Sequence, residues 1–464
     1  MWGCFREYDE RSKPLVPEIE MFLPCPMSRV GCADHDRPLG MPVRTFSAAT
    51  NKGTAVQQIH NDGTTTFETM ITGATGFVGG ELLIKLLKDS NKQLICPVRA
   101  GSAAAAHERG EKRLNELAGE DADRYRKRVR WLRADIEEPH LGWNDATWHD
   151  VAMVTNEIFH CAASVSFDLP LDEAHRINVV GTEHVHQVAM AAAERHGQFT
   201  RFHHVSTAYV AGLAKGRVNS DYLPPDRTSL FRNSYEQTKA RAERYLRSHA
   251  STRVPVTIHR PSIIAGDSVT GATTNWNVLY VPMKMVARGV LPAFAFGGRQ
   301  LVDCIAIDVL VDAMAIFSQL DAKSLHTHHV TAGPKAITAT DVIRRTSEQA
   351  GLHPAFEPSD TKMLGPARWR CLTATVAMMA RLPKRAGSVR TKARVARRCI
   401  DQCAVYLPYA RVDTIFDATR DHDVLRVFGV EMPPGSEYLD TIMAFALDTN
   451  FGKDAAPTSE GAIA

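Results

Sequence analysis

Tyr235 and Lys239 stand an i, i+4 step apart in "NSYEQTKA", so on a helix they share one face. An ammonium close to a phenol stabilises the phenolate and lowers the tyrosine's pKa, which makes it a better proton donor near neutrality. Upstream, "HHVSTAYV" puts the hydroxyls of Ser206 and Thr207 at the end of an apolar run, where either could hydrogen-bond a substrate carbonyl. Nearer the N-terminus, glycines at 73, 76 and 79 separate an apolar run from an amphipathic one in "ITGATGFVGGELLIKLL". A strand that turns through glycines into a helix aims unpaired N–H groups and the positive end of the helix dipole at the loop. That suits a dinucleotide pyrophosphate. Gly73 would permit the turn, Gly76 the approach of backbone to phosphate, and Gly79 close packing of the helix. The following strand ends in "CPVRAG". Arg99 there, with no acid at the tip, suits a ribose 2′-phosphate and favours NADPH over NADH. Each feature also has a plain structural reading: a tight turn, satisfied strand ends, a solvated helix face, a surface arginine. The conjunction, in this order along the chain, gives the functional reading its weight.

These residues need a scaffold, and the hydropathy pattern describes one. Strand-like runs at 67–72, 93–98 and 129–133 alternate with helix-like runs at 79–88 and 109–117. Further strands are expected at 154–164, 201–210, 254–264 and 327–333, with helices at 176–194, 234–249 and 311–320 between them. Such alternation predicts an α/β fold, a Rossmann-type doubly wound parallel sheet with right-handed crossovers. Segments 212–232 and 266–300 interrupt it after strand ends and are expected to form a smaller substrate lobe, because ligands of open parallel sheets sit at that edge. Residues 1–66 lack sustained periodicity and read as a loosely ordered extension, with Met41 a candidate start. Residues 67–335 read as the dinucleotide-binding domain and 336–464 as a mainly helical C-terminal region.

Composition narrows the partners. A net charge of +3 over 464 residues is too small to imply nucleic acid. The apolar runs fall short of the roughly 20 residues a membrane span needs. Nine cysteines without a CxxC pair favour a reducing, cytoplasmic setting over a disulfide framework.

The stretches "TGATGFVGGELLIKLL", "CPVRAG", "IFHCAASVSFD", "RINVVGTEHV", "FHHVSTAYV", "NSYEQTKARAE" and "IHRPSII" together resemble an extended short-chain dehydrogenase/reductase. The resemblance is to the branch of fatty acyl-CoA reductases and thioester reductase domains, and "HCAASVSFD" discriminates it best from sugar epimerases. It implies that Thr207 is the catalytic hydroxyl with Ser206 beside it, that Tyr235 is the proton donor, and that Lys239 orients the nicotinamide ribose and tunes Tyr235. It implies cofactor contacts from Gly73, Thr75, Gly76, Phe77, Val78 and Gly79 in the loop. Arg99, Asp135 and Ile136 would lie toward the adenosine, Ala162 and Ala163 along the cofactor, and Pro261 and Ile263 by the nicotinamide. Asn178 resembles the asparagine that holds the active-site lysine through water. The implied activity is NADPH-dependent reduction of a long-chain acyl thioester, on coenzyme A or an acyl carrier protein, to aldehyde and onward to alcohol. A sugar-nucleotide epimerase or dehydratase, a hydroxysteroid dehydrogenase and a non-catalytic nucleotide sensor are the alternatives.

Three further signals stay open. "HTHH" at 326–329 could suggest a metal but has no recurring partner nearby, and Cys161 reads better as a small buried residue than as a nucleophile. Residues 363–400 hold ten Lys or Arg and no acid. They read either as a solvated face or as a docking surface for an acidic carrier protein, coenzyme A phosphates or anionic membrane.

Overall fold

The computed structural model describes residues 67–276, 278–288, 300–321 and 324–352, a helix at 366–380 with isolated positions from 381 to 398, Tyr409, and residues 413–453. The expected extension 1–66, part of the segment 266–300 and much of 363–400 lie outside the described residues. Seven strands form the central sheet: β1 Glu68–Thr72, β2 Gln93–Val98, β3 Val129–Arg133, β4 Thr155–His160, β5 Arg201–Val205, β6 Val256–Pro261 and β7 Leu325–Val330. Their spatial order is β7-β6-β5-β4-β1-β2-β3, and every pairing is parallel. The chain therefore reverses its direction of progress between β1 and β4, which opens a crevice at the carboxyl ends of those strands.

Alternating side chains build the two covered faces. Met70, Ile95, Ile158, Phe202 and Ile258 pack with Val185 and Val188 of the helix Gly181–His196 and Leu246 of the helix Ser234–His249. Ile71, Cys96 and Phe159 point the other way, onto Leu82 and Leu83 of the helix Phe77–Asp89 and Leu310 and Phe317 of the helix Ile307–Ser318. Burial on both faces is why the strands read as nearly continuous apolar runs. The exceptions include six histidines, His160, His203, His204, His259, His328 and His329, and the charged Glu157, Arg201 and Arg260, all buried in the sheet.

Most boundaries follow the periodicity, and the departures fall near the crevice. The first helix starts at Phe77 rather than 79, and the helix expected at 109–117 extends back to Ala103, where the Ser102 side chain accepts from Ala105 N. The run 201–210 stops being a strand at Val205, and Thr207 then caps the 3₁₀ turn Ala208–Ala211. The run 254–264 breaks at Ser262 into β6 and a short strand, Ile263–Ala265, that pairs with Cys304–Ala306.

The C-terminal residues return to this framework. Thr414–Phe416 pairs with Gly216–Val218 from within 212–232. Tyr438, Leu439 and Met443 of the helix Gly435–Asp448 join the core that contains Ile307 and Leu310. Among the described residues no helix is long and apolar enough to cross a membrane.

Candidate active site

The glycine turn is built as a cradle. Gly73 has φ +72°, and a Cβ on it would stand 2.8 Å from Ala162 N. A Cβ on Gly79 would stand 2.3 Å from Gly73 O, so the helix sits directly on the turn. Gly76 occupies the N-cap without any side-chain cap, and the first turn carries no acid. The first amides therefore keep their capacity for an anion. Phe77 and Val78 pack their side chains onto the core beneath, which leaves their backbone N–H groups as the part that could meet a phosphate. Thr75 is half-buried at the tip of the turn.

The carboxyl end of β2 meets a group the sequence did not reveal. Arg99 lies 3.6 Å from the Glu137 carboxylate, which also accepts from Arg176 Nε at 3.0 Å. No acid stands at the tip of β2 in sequence, yet the fold brings one to Arg99 from the loop after β3. Asp135 shapes that loop by accepting from Glu137 N at 3.0 Å. Ile136 packs against Gly181, where an added Cβ would meet its Cδ1 at 2.8 Å.

Beside the turn runs the exit of β4. Ala162 N donates to Thr72 Oγ1 at 3.2 Å, and Ala163 is buried. Burial pushes the Cys161 thiol up to about 12 despite the opposing influence of Lys239, which keeps it protonated and rules against a thiolate nucleophile. Asn178, in a π turn at Arg176–Val180, does not contact Lys239. It donates to Ser164 O and Thr238 Oγ1, both at 3.1 Å, and accepts from Ser164 N at 2.8 Å.

Thr207 and Tyr235 come together. The helix Ser234–His249 starts at Asn233, whose side chain accepts from Glu236 N at 3.0 Å, and this presents Tyr235 in the first turn. Burial pushes the Tyr235 phenol up to about 12, and the neighbouring Thr207 hydroxyl opposes that rise. Thr207 Oγ1 also lies 3.4 Å from Pro261 O at the end of β6. Ile263, beyond the break at Ser262, packs on the core.

Two expectations are corrected here. Lys239 is not among the groups that shift Tyr235. Its Nζ turns inward, donating to Val205 O at 2.7 Å and lying 3.2 Å from His204 Nε2. Burial pushes Lys239 down to about 8, opposed by Glu243. Ser206 is also turned away from the crevice. It donates to Glu243 Oε1 at 2.6 Å, and Arg260 holds the same carboxylate through Nε at 2.9 Å and a terminal nitrogen at 2.6 Å. Burial would raise the Glu243 pKa, but Arg260, Arg247 and the Ser206 hydroxyl together hold it below the usual carboxylate value. This fully buried ion pair fastens the helix of Tyr235 to β5 and β6.

Aromatic residues complete the wall. Phe167 lies tilted 5.5 Å from the Tyr235 ring and stacks 5.2 Å from Tyr409, and the Tyr409 hydroxyl accepts from Asn233 Nδ2 at 2.8 Å. Phe167 belongs to "HCAASVSFD" and was legible as part of that stretch. Tyr409 carried no signal in sequence. His328, one of the "HTHH" residues, is paired with Asp421 at 2.8 Å.

A seven-stranded doubly wound sheet, a glycine cradle at its switch point and a Thr–Tyr–Lys set beside it define an extended short-chain dehydrogenase/reductase. Within that class, residues 71–314 match the NAD-binding family described as "Male sterility protein", and the chain belongs to that family, alongside fatty acyl-CoA reductases and thioester reductase domains. It is 36% identical over 227 residues to the isonitrile lipopeptide synthase of Streptomyces coeruleorubidus, covering 48% of this chain and 15% of that protein. It is 28% identical over 276 residues to fatty acyl-CoA reductase 1 of Homo sapiens, covering 52% of each. The chain thus spans about half the length, or less, of these curated relatives. In fold it is similar to the terminal R domain from the myxalamid PKS-NRPS biosynthetic pathway, with TM-score 0.65 and 21% identity over 87% of this chain and 95% of that one.

Proposed function

We propose that this protein is an NADPH-dependent reductase of long-chain acyl thioesters, carried on coenzyme A or an acyl carrier protein. The observation that carries the reading is the placement of the Thr207 hydroxyl, just past the end of β5, beside the Tyr235 phenol at the crevice next to the glycine cradle. The relatives named as an acyl-CoA reductase and a lipopeptide synthase support the thioester. The cradle fits a dinucleotide: its amides are uncapped, and the turn is so tight that a side chain at 73 or 79 would collide with backbone and deform it. Arg99 and Arg176 would hold a 2′-phosphate in competition with Glu137.

When bound, the reduced nicotinamide supplies a hydride to the thioester carbonyl carbon. Thr207 and Tyr235 then hydrogen-bond the oxygen as charge develops on it, and Tyr235 gives it a proton. The hemithioacetal collapses to aldehyde and free thiol. Exchange of the spent cofactor for a second reduced one would supply the hydride that, with a proton from Tyr235, turns the aldehyde into the primary alcohol. A phenol at about 12 stays protonated at neutral pH, as a donor must. The exposed Arg394 and Arg398 belong to the basic stretch 363–400, which we assign to docking of the acidic carrier or an anionic membrane surface. The inferred location is the cytoplasm.

The reading is tested by incubating the purified protein with NADPH and palmitoyl thioesters and identifying products by mass spectrometry. Aldehyde or alcohol with free thiol is expected, and neither product at any chain length would sink it. Tyr235→Phe is expected to bind NADPH and lose turnover. Charge reversal at Arg394 and Arg398 is expected to weaken acyl carrier protein binding in a salt-dependent way, and unchanged affinity would remove the docking assignment.

A further inference from the structure

The inward turn of Lys239 gives a role to a residue that sequence patterns treat as part of a strand. His204 is the penultimate residue of β5 and is fully buried. Its Nε2 lies 3.2 Å from Lys239 Nζ, while its Nδ1 has no hydrogen-bond partner among the described residues. A neutral imidazole has one N–H and one lone pair. Only the tautomer with the proton on Nδ1 lets Nε2 accept from an ammonium. The orphaned Nδ1 is then the cost of that arrangement, since a buried N–H without an acceptor is unfavourable.

Burial works against a cation at this spot, pushing Lys239 down to about 8, so the groups that support the ammonium matter. Glu243, one turn along the same helix, is an opposite charge acting on Lys239. His160, on β4 beside His204, is held neutral by burial and by Lys239. Its Nδ1 lies 2.8 Å from Thr72 Oγ1 and its Nε2 3.0 Å from Thr182 Oγ1, so it offers nothing to the lysine. His259, on β6, also acts on His204 and is held neutral by burial. His204 and the Val205 carbonyl are thus the two acceptors given to Lys239 Nζ. They use two of the three ammonium protons and leave one for the crevice.

We propose that His204 is a positioning residue for Lys239: its Nε2 lone pair, with the Val205 carbonyl, anchors the ammonium at the end of β5 so that its remaining N–H serves the crevice beside Tyr235. The proposal rests on Lys239 being part of the reductase site. Replacing His204 by leucine removes the acceptor while roughly keeping the volume. The ammonium form is then less favoured, so the alkaline limb of the kcat profile moves to lower pH by about one unit. At neutral pH kcat falls by about tenfold, the scale of one charge-assisted hydrogen bond. KM for the thioester stays within about twofold, since His204 touches no substrate in this reading. His204→Gln, whose amide oxygen reaches a similar point, restores the greater part of kcat and the original limb.

The experiment compares pH profiles of wild type, His204→Leu and His204→Gln with NADPH and palmitoyl-CoA, and records ¹⁵N-histidine NMR spectra of the wild type, with His204→Gln assigning the signal. Expected are a displaced limb in the leucine variant, rescue by glutamine, and an Nδ1–H tautomer in the wild type. A leucine variant with wild-type kcat and limb, a glutamine variant as impaired as leucine, or a wild-type His204 protonated on Nε2 would each overturn the proposal. The tautomer reading stands on the unaltered protein, so it decides the matter even if the leucine variant does not fold. Wild-type protein inert toward every thioester would instead count against the reductase reading, with the His204–Lys239 contact still judged by the tautomer.

Discussion

Replacing Gly79 by alanine adds one methyl group at the point where the first helix rests on its own turn. The new Cβ would lie 2.3 Å from Gly73 O, 2.7 Å from Gly73 C and 3.0 Å from Ala74 N, all backbone atoms. Ordinary van der Waals contact begins near 3.4 Å, so helix and turn must part by about 1 Å. The turn has little room to retreat, because even a Cβ on Gly73 would stand only 2.8 Å from Ala162 N. Overpacking of this kind costs about 1–3 kcal/mol of stability. The cost to cofactor binding is larger in proportion. Amide–phosphate hydrogen bonds near 2.9 Å fail once stretched by 1 Å, and each such charge-assisted bond is worth about 1.5–3 kcal/mol. Losing even one weakens binding by about tenfold or more. Gly80→Ala is the control. Its Cβ would meet Leu117 Cδ1 at 2.9 Å and the Arg113 guanidinium at 3.2 Å, both ends of flexible side chains, and alanine regains about 0.5–1 kcal/mol of helix propensity. NADPH titration by fluorescence, with thermal melting alongside, separates the two effects. Gly79→Ala binding NADPH as tightly as wild type, or Gly80→Ala losing as much affinity, would refute the cradle.

Ser206→Ala is expected to cost about 1.5–3 kcal/mol in urea denaturation, since it deprives the charged Glu243 of a donor. Thr207→Val is expected to lower kcat with a smaller loss of stability, and the reverse pattern would exchange their roles. Acid should destabilise the fold below about pH 6.5. His160 is pushed down to about 3, and His186, His203 and His329 to about 4, all chiefly by burial. The unfolded chain then binds more protons, so stability is full above the ordinary histidine pKa and is lost as pH falls toward those values. Melting temperature measured from pH 7.5 to 4.5 checks this, and a flat profile would contradict it. Arg99→Ala should narrow the preference for NADPH over NADH in kcat/KM, whereas Glu137→Ala, which releases Arg99, should widen it.

The contrast between neighbours shows where reading a sequence stops. Gly73, Gly76 and Gly79, and the Tyr235–Lys239 step, were legible because a turn and a helix are local: their geometry repeats over a few residues whatever the rest of the chain does. The doubly wound sheet was legible for the same reason, its alternation being written in runs of apolar side chains. Ser206 and Thr207 looked equivalent in sequence. Side chains alternate faces along a strand, and the end of β5 at Val205 sends Thr207 to Tyr235 and Ser206 to the buried Glu243–Arg260 pair. That parity, and the strand order that sets Glu137 against Arg99, His204 beneath Lys239 and Tyr409 beside Phe167, depend on contacts between residues far apart in the chain. The sequence by itself determined the fold and the chemical groups available. The tertiary structure alone decided which groups face one another, because register and crossover connections, rather than local periodicity, bring distant side chains within hydrogen-bonding reach.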